Sequence, residues 1–214
     1  MDSYRHKGLR KKLVYELSKK GIRDERVLEA ILQVPRHLFL DNAFEEWAYK
    51  DTAFAIDCDQ TISQPYTVAF QSSLLQIKPG DKVLEIGLGS GYQACVLAVL
   101  GAKVYSIERH KALHDQTANR LRELGYGTIR TFYGDGYLGL PRFAPFDKIL
   151  ITAACPEVPQ ALIDQLKVGG CLVVPLGTEH ETQEMYRITK EAEGQLRREK
   201  FGYFRFVPML HGKV

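Results

Sequence analysis

The chain has 214 residues, of which 45% are hydrophobic, 26% charged and 10% aromatic. That profile excludes a disordered tail and a fibrous repeat, and a chain of this length buries roughly 70% of its unfolded surface without a disulfide or metal staple. A formal charge of +3, from 29 Lys plus Arg against 26 Asp plus Glu, gives no overall argument for a nucleic-acid partner.

Tyr4 to Gly21 carry Leu9, Leu13, Val14 and Leu17 at helical spacing, with Gly21 as the stop. The first twenty-three residues hold eight Lys or Arg and two acids. Such a run is ordinarily the wet face of an amphipathic helix, with a patch for RNA or another anionic partner as the competing reading. Asp24 is placed to cap a second helix with Val27, Leu28, Ile31 and Leu32 on its apolar face and Pro35 beyond. Residues 41–60 show no period and read as a connection. From Lys78 the texture changes. Strands are predicted over 82–86, 103–108, 128–133, 146–152 and 170–176, with helices over 92–100, 110–124 and 158–166. Such alternation predicts a doubly wound α/β fold with a mostly parallel sheet covered on both faces. Residues 183–191 and 195–209 flank an Ala192-Glu193-Gly194 turn, which predicts an antiparallel hairpin at the edge. The expected organisation is a single domain, with a helical N-terminal cap over 1–60 and a Rossmann-like core over 61–214.

The four cysteines, Cys58, Cys95, Cys155 and Cys171, contain no C-x-x-C pair, and Cys95 and Cys171 lie in apolar runs where a thiol packs as a small hydrophobe. No apolar stretch follows the basic N-terminus, and the longest apolar run, 94–100, is far short of the ~20 residues a bilayer requires. A cytoplasmic protein with no membrane partner is expected.

The strongest chemical signal is Val83-Leu84-Glu85-Ile86-Gly87-Leu88-Gly89-Ser90-Gly91-Tyr92, a strand running through a glycine turn into a helix. Glycines there let a ligand approach the backbone, and the helix N-terminus offers free N–H groups. Glu108 ends the next strand, where a carboxylate can accept from ribose hydroxyls. A dinucleotide fingerprint would need glycine at 92, where Tyr92 stands, and no Gly-Lys-Ser/Thr follows for a phosphate loop. Acid-x-Gly-x-Gly-x-Gly, with Glu85 as the acid, is the pattern of enzymes that use S-adenosylmethionine, which carries an ammonium and a sulfonium. Gly134-Asp135-Gly136 follows the third strand, where Asp135 either accepts from an adenine amino group or simply makes a turn. Gln60-Thr61-Ile62-Ser63-Gln64-Pro65-Tyr66 is, on composition, a polar loop.

These strings, taken with Val34-Pro35-Arg36-His37, Ala144-Pro145-Phe146-Asp147 and Arg205-Phe206-Val207-Pro208, closely resemble the protein-L-isoaspartate O-methyltransferases, particularly their bacterial branch. The match runs in order through nearly the whole chain. The resemblance implies a class I S-adenosylmethionine-dependent methyltransferase that esterifies the free α-carboxylate of L-isoaspartyl residues in damaged proteins and peptides. The ester then reverts through succinimide to aspartate, and S-adenosyl-L-homocysteine is the by-product. It further implies Ser63 as the active-site hydroxyl, with Thr61 and Ile62 beside the cofactor. Glu85, Gly87, Gly89, Ser90 and Gly91 match the cofactor loop, Glu108 and Arg109 the ribose end, and Asp135 and Gly136 the adenine end. Substrate would meet Ser63, Gln64, Pro65 and Tyr66 on one side and Arg205, Phe206, Val207 and Pro208 on the other. No metal and no nucleic acid is implied, and a monomer is expected. The chain departs from many relatives, eukaryotic ones especially, at Tyr66 and Val68, where those proteins carry histidine. Two other readings compete: a nucleic-acid methyltransferase, although Thr152-Ala153-Ala154-Cys155-Pro156 lacks the Asn/Asp-Pro-Pro-Tyr type string of base-amine methylases, and a non-catalytic binder of S-adenosylmethionine.

Overall fold

Ser3 opens the first helix through a reciprocal cap: its hydroxyl accepts from the His6 N–H, and the His6 ring accepts from the Ser3 N–H. The helix, α1, spans Tyr4–Lys19, and α2 spans Glu25–Gln33, with the Asp24 carboxylate accepting from the Arg26 and Val27 N–H groups. The computed structural model describes residues 2–178 and 181–214. After two 3₁₀ turns, Arg36–Phe39 and Asn42–Trp47, come a two-stranded ribbon, β1 (Phe54–Ala55) and β2 (Thr61–Ile62), and the helix α3 (Pro65–Leu75). The alternating part follows: β3 (Lys82–Ile86), α4 (Tyr92–Val99), β4 (Lys103–Glu108), α5 (Lys111–Glu123), β5 (Arg130–Tyr133), β6 (Phe146–Ile151), α6 (Gln160–Gln165) and β7 (Leu166–Leu176). The hairpin β8 (Gln183–Ala192) and β9 (Gln195–Phe204) completes it.

The seven strands lie in the order β5-β4-β3-β6-β7-β8-β9, parallel as far as β7 and antiparallel beyond. This is the doubly wound, mostly parallel sheet with a terminal hairpin that the alternation predicts. Strand order reverses at β3, so the carboxyl end of β3 is the switch point where open α/β sheets bind ligands. Period-two burial splits the core by face. Val83, Val104, Leu150 and Val173 pack with residues of α1 to α4, while Leu84, Ile107, Ile149 and Val174 pack with α6.

Four details differ from the sequence reading. Helix α3 lies where only a polar loop and an unassigned stretch were expected. Strand β7 starts at Leu166, because Phe146 pairs with Leu166 before a bulge restores register at Cys171. The last strand stops at Phe204, not Met209. Beyond it the chain leaves the hairpin, and the Phe206 N–H donates to Gln183 while Pro208 bridges to Ala154. Finally, the basic N-terminal run is not all wet face. Arg10 is buried and donates to both carboxylate oxygens of Asp2 and to the Tyr49 hydroxyl.

Candidate active site

Strand β3 delivers Gly87 with φ +98°, and a Cβ built there would lie 2.5 Å from Thr152 Oγ1. Glycine therefore lets the loop close on the end of β6, where the Thr152 hydroxyl donates to the carbonyls of Ile86 and Gly87 at 2.9 and 3.0 Å. Gly89 faces open space: the nearest atom to a Cβ there is Ile56 Cδ1, 3.8 Å away. The Gly89 N–H donates to Glu108 Oε2 at 3.0 Å, and Glu108 Oε1 accepts from the His110 N–H at 3.0 Å. The acid at the end of β4 thereby fixes the loop. Ser90 caps the turn, its Oγ accepting from the Tyr92 N–H. Gly91, at φ +86°, turns into α4 against Thr117 and Leu121.

The parallel register sets Glu85 opposite Ser106, two residues before Glu108. Glu85 is wholly buried, accepts from the Ser106 hydroxyl, and leaves Oε1 without a hydrogen-bond partner. Burial pushes its carboxyl up to about 8; the Ser106 hydrogen bond opposes this and the Glu108 charge adds to it. Glu85 therefore lies behind the loop, not on a cavity wall.

Ser63 reaches the site through the small ribbon, in which Phe54 pairs with Ile62 and Ala55 with Thr61. Ile62 points into the core, so the flanking Thr61 and Ser63 point away from it. Pro65 then opens α3 at a position where its missing N–H costs nothing. The Asp51 carboxylate accepts from the Tyr66 N–H at 2.7 Å and pairs with Lys20 at 2.6 Å, capping α3 from outside. Gln71 Nε2 donates to the Ile151 carbonyl, and Gln93 Nε2 to Ser72 Oγ, which pins α3 across the ends of β6 and α4.

Two cavities meet here. A narrow one, of about 60 Å³, lies over the glycine loop, bounded by Ile62, Val68, Gly87, Gly89, Ser90 and Glu108 among others. A larger one, of about 780 Å³, opens over α3 and the end of β9, where Gln64, Tyr66, Arg205 and Phe206 line it. Thr61, Ser63, Thr152 and Val207 line both. The Ser63 hydroxyl makes no hydrogen bond among the described residues. The structure thus gathers Thr61, Ile62, Ser63, Gly87, Gly89, Ser90 and Glu108 around one opening. Pro65 and Pro208 are structural neighbours of the larger cavity and do not line it.

The residues expected at an adenine end stand apart. Asp135 accepts from the Tyr137 and Gly212 N–H groups, Arg109 donates to the carbonyls of His211 and Gly212, and the His211 ring stacks on Tyr137 at 3.6 Å. Gly136 packs tightly on Ile86 and beside Met209. The last residues of the chain therefore rest on Arg109 and Asp135. Sequence reasoning missed this tail, which carries no motif of its own. It also missed Thr152, whose one signal is its place at the end of the strand beside β3. Among the described residues, one grouping with metal-ligand atoms, Asp2, His6 and His37, lies in the cap, and there Arg10 holds both Asp2 oxygens.

A glycine loop at the switch point, backed by an acid on each of two adjacent strands, defines a class I S-adenosylmethionine-dependent methyltransferase. A family model described as protein-L-isoaspartate(D-aspartate) O-methyltransferase matches residues 8–214. A protein-L-isoaspartate O-methyltransferase of Christiangramia forsetii is 57% identical over 212 residues, 99% of each chain. One from Cytophaga hutchinsonii is 57% identical over 98% of this chain and 94% of its own. A solved protein-L-isoaspartate O-methyltransferase superposes with a TM-score of 0.83 at 30% identity, over 93% of this chain and 65% of that one. A putative protein-L-isoaspartate O-methyltransferase from Plasmodium falciparum, solved in complex with S-adenosyl-L-homocysteine, gives 0.81 at 26% identity, over 94% and 98%. The chain belongs to the protein-L-isoaspartate O-methyltransferase family, the S-adenosylmethionine-dependent enzymes that methylate isoaspartyl residues in protein repair. Among the described residues no helix is long and apolar enough to cross a membrane.

Proposed function

We propose that the chain esterifies the free α-carboxylate of L-isoaspartyl residues at the junction of the two cavities, with Ser63 as the hydroxyl that orients that carboxylate. The observation that supports this most is that Ser63, with an uncommitted hydroxyl, lies on the wall common to the cavity over the glycine loop and the larger groove. The loop fits the cofactor: the cradle over Gly89 is open, Glu108 lines the cavity beside it, and the buried Glu85 carboxyl keeps one oxygen without a partner. S-adenosylmethionine, when bound, supplies an electrophilic methyl group on a sulfonium sulfur. Thr61, Ile62, Gly87, Gly89, Ser90 and Glu108 are the residues that would hold it near the junction, with the Glu85 carboxyl buried behind them. Gly91 shapes the turn, and Arg109, Asp135 and Gly136 form the proposed adenine side.

An α-carboxyl has an ordinary pKa near 3.5, so the nucleophile is already ionised at neutral pH and the protein need not supply a general base. What the chain contributes is alignment, worth roughly 7–11 kcal/mol for well-placed reactants. Ser63 donates to one carboxylate oxygen and leaves the other to react. A single neutral donor suits this task, because over-stabilising the ground-state carboxylate would slow the step. Gln64, Tyr66, Arg205, Phe206 and Val207 receive the surrounding peptide, with Pro65 and Pro208 shaping that edge. The enzyme acts as a cytoplasmic, monomeric, single-domain protein on isoaspartyl proteins and peptides, without nucleic acid. The test is transfer of labelled methyl to a synthetic peptide with one L-isoaspartate and to its aspartate twin. Base-labile label on the first alone is expected. Equal labelling of the twin, or a base-stable product, would overturn the assignment.

A further inference from the structure

The groove is much larger than one isoaspartyl residue requires, and its chemistry divides along its length. It is an open groove of about 780 Å³, within the size range of ligand-binding clefts. Its inner end is polar, made by Thr61, Ser63 and Thr152. Its outer part is aromatic. Tyr66 and Phe70, one turn apart on α3, face Phe204 from β9, with ring centroids 5.8, 6.4 and 5.1 Å apart, and Phe201 and Phe206 extend the wall. All five rings are half-buried, so each offers part of its surface to the groove.

We propose that this aromatic wall is a subsite for the side chain next to the isoaspartate, and that it selects peptides with an aromatic or large aliphatic residue there. The inference rests on the reading of the chain as an isoaspartyl methyltransferase. With the reacting carboxylate at Ser63, the neighbouring residues of an extended peptide lie outward, over the rings. No carboxylate lines the groove among the described residues, and the one charged lining side chain is Arg205, which is exposed and has no acidic partner among them. Arg187, paired with Glu199, lies 5.3 Å over the Phe201 ring, so one face of that ring already carries a cation. A flanking lysine would thus meet like charge near Arg205, and a flanking serine would leave ring surface wet. An aromatic neighbour instead buries apolar area and gains ring–ring contact.

The experiment is steady-state kinetics of the whole protein on hexapeptides that differ only at the two residues flanking a central isoaspartate, set to Tyr, Leu, Ser or Lys. Tyr- and Leu-flanked peptides are expected to show a KM about tenfold below that of the Ser-flanked peptide, with kcat within about twofold and the Lys-flanked peptide weakest. Phe70→Leu, which keeps apolar volume but removes the ring, is expected to narrow the Tyr-over-Ser ratio more than the Leu-over-Ser ratio. Equal KM values across the series with wild-type protein would overturn the subsite while leaving the methyltransferase reading intact. Methylation of none of the peptides would overturn both.

Discussion

Ser63 stands where two cavities join, and its environment suits holding a carboxylate more than attacking one. Among the described residues no histidine or acid is hydrogen-bonded to it, so none of them is placed as a base to make it a nucleophile. Ser63→Ala is therefore expected to lower kcat by roughly tenfold to a hundredfold, while calorimetric affinity for S-adenosyl-L-homocysteine stays within about twofold. Equal loss of both would place Ser63 in cofactor binding instead. Glu85 poses the opposite case, a carboxyl buried with one oxygen unpartnered. Its pKa rises from 4.5 to about 8 on folding, so between those values the folded state holds a proton that the unfolded state has released. Stability must fall as pH rises through that window, by at most about 1.4 kcal/mol per unit. Glu85→Gln removes the ionisation and keeps the shape. The melting temperature of the Gln variant relative to wild type is expected to climb between pH 5 and pH 8 and then level off. A pH-independent difference would mean that the carboxyl is not titrating in this window.

At the scale of elements, the glycine loop depends on contact as well as on backbone angle. Gly87 and Gly80 both have positive φ, +98° and +90°, yet a Cβ at Gly80 meets nothing within 4 Å whereas one at Gly87 strikes Thr152. Both Ala variants incur backbone strain of about 1–3 kcal/mol. Only Gly87→Ala also displaces the Thr152 hydroxyl from the wall common to both cavities. It is expected to weaken S-adenosyl-L-homocysteine binding about tenfold to a hundredfold, whereas Gly80→Ala lowers the melting temperature and leaves affinity unchanged. Loop, strand and acid were legible in the sequence because each carries a local signal: β-branched runs for β3 and β4, glycine spacing between β3 and α4, and Glu108 at a strand end. Helix α3 was not, for a physical reason. Eight of its eleven residues are buried, on nearly all sides, so no wet face marks a 3.6-residue period. Its opening, Gln64-Pro65, reads as a turn until Asp51, fifteen residues upstream of Tyr66, is seen to cap it. The groove's aromatic wall was hidden likewise, since Phe70 and Phe204 come from distant elements that meet only when the hairpin folds over α3.

At the scale of the molecule, the helical cap must be fixed to the sheet, because β1, β2 and the Ser63 loop hang between them. Two arginines do this in different surroundings. Arg26, at the surface, donates to the carbonyls of Ile77 and Leu100, tying the start of α2 to the chain around β3 and α4. Arg36 is wholly buried, donates to the carbonyls of Ala48 and Thr52, and lies 5.0 Å over the ring of Tyr92, the first residue after the glycine loop. Burial pulls its pKa down to about 10, so it stays charged at neutral pH. Thr52 lines the groove, so Arg36 connects the helix after the glycine loop to the wall of the larger cavity. Arg26→Met is expected to cost about 1 kcal/mol, a fall in melting temperature of about 2–4 °C, with kcat and KM unchanged. Arg36→Met strands the buried Ala48 carbonyl, releases that of Thr52, and is expected to cost about 3 kcal/mol, or about 6–12 °C. It should also raise the peptide KM several-fold at temperatures where the protein remains folded, because the 48–52 segment loses its anchor. Thermal melts paired with peptide kinetics at 20 °C separate the two. If Arg36→Met lowered the melting temperature and left KM untouched, the arginine would hold the cap without shaping the groove.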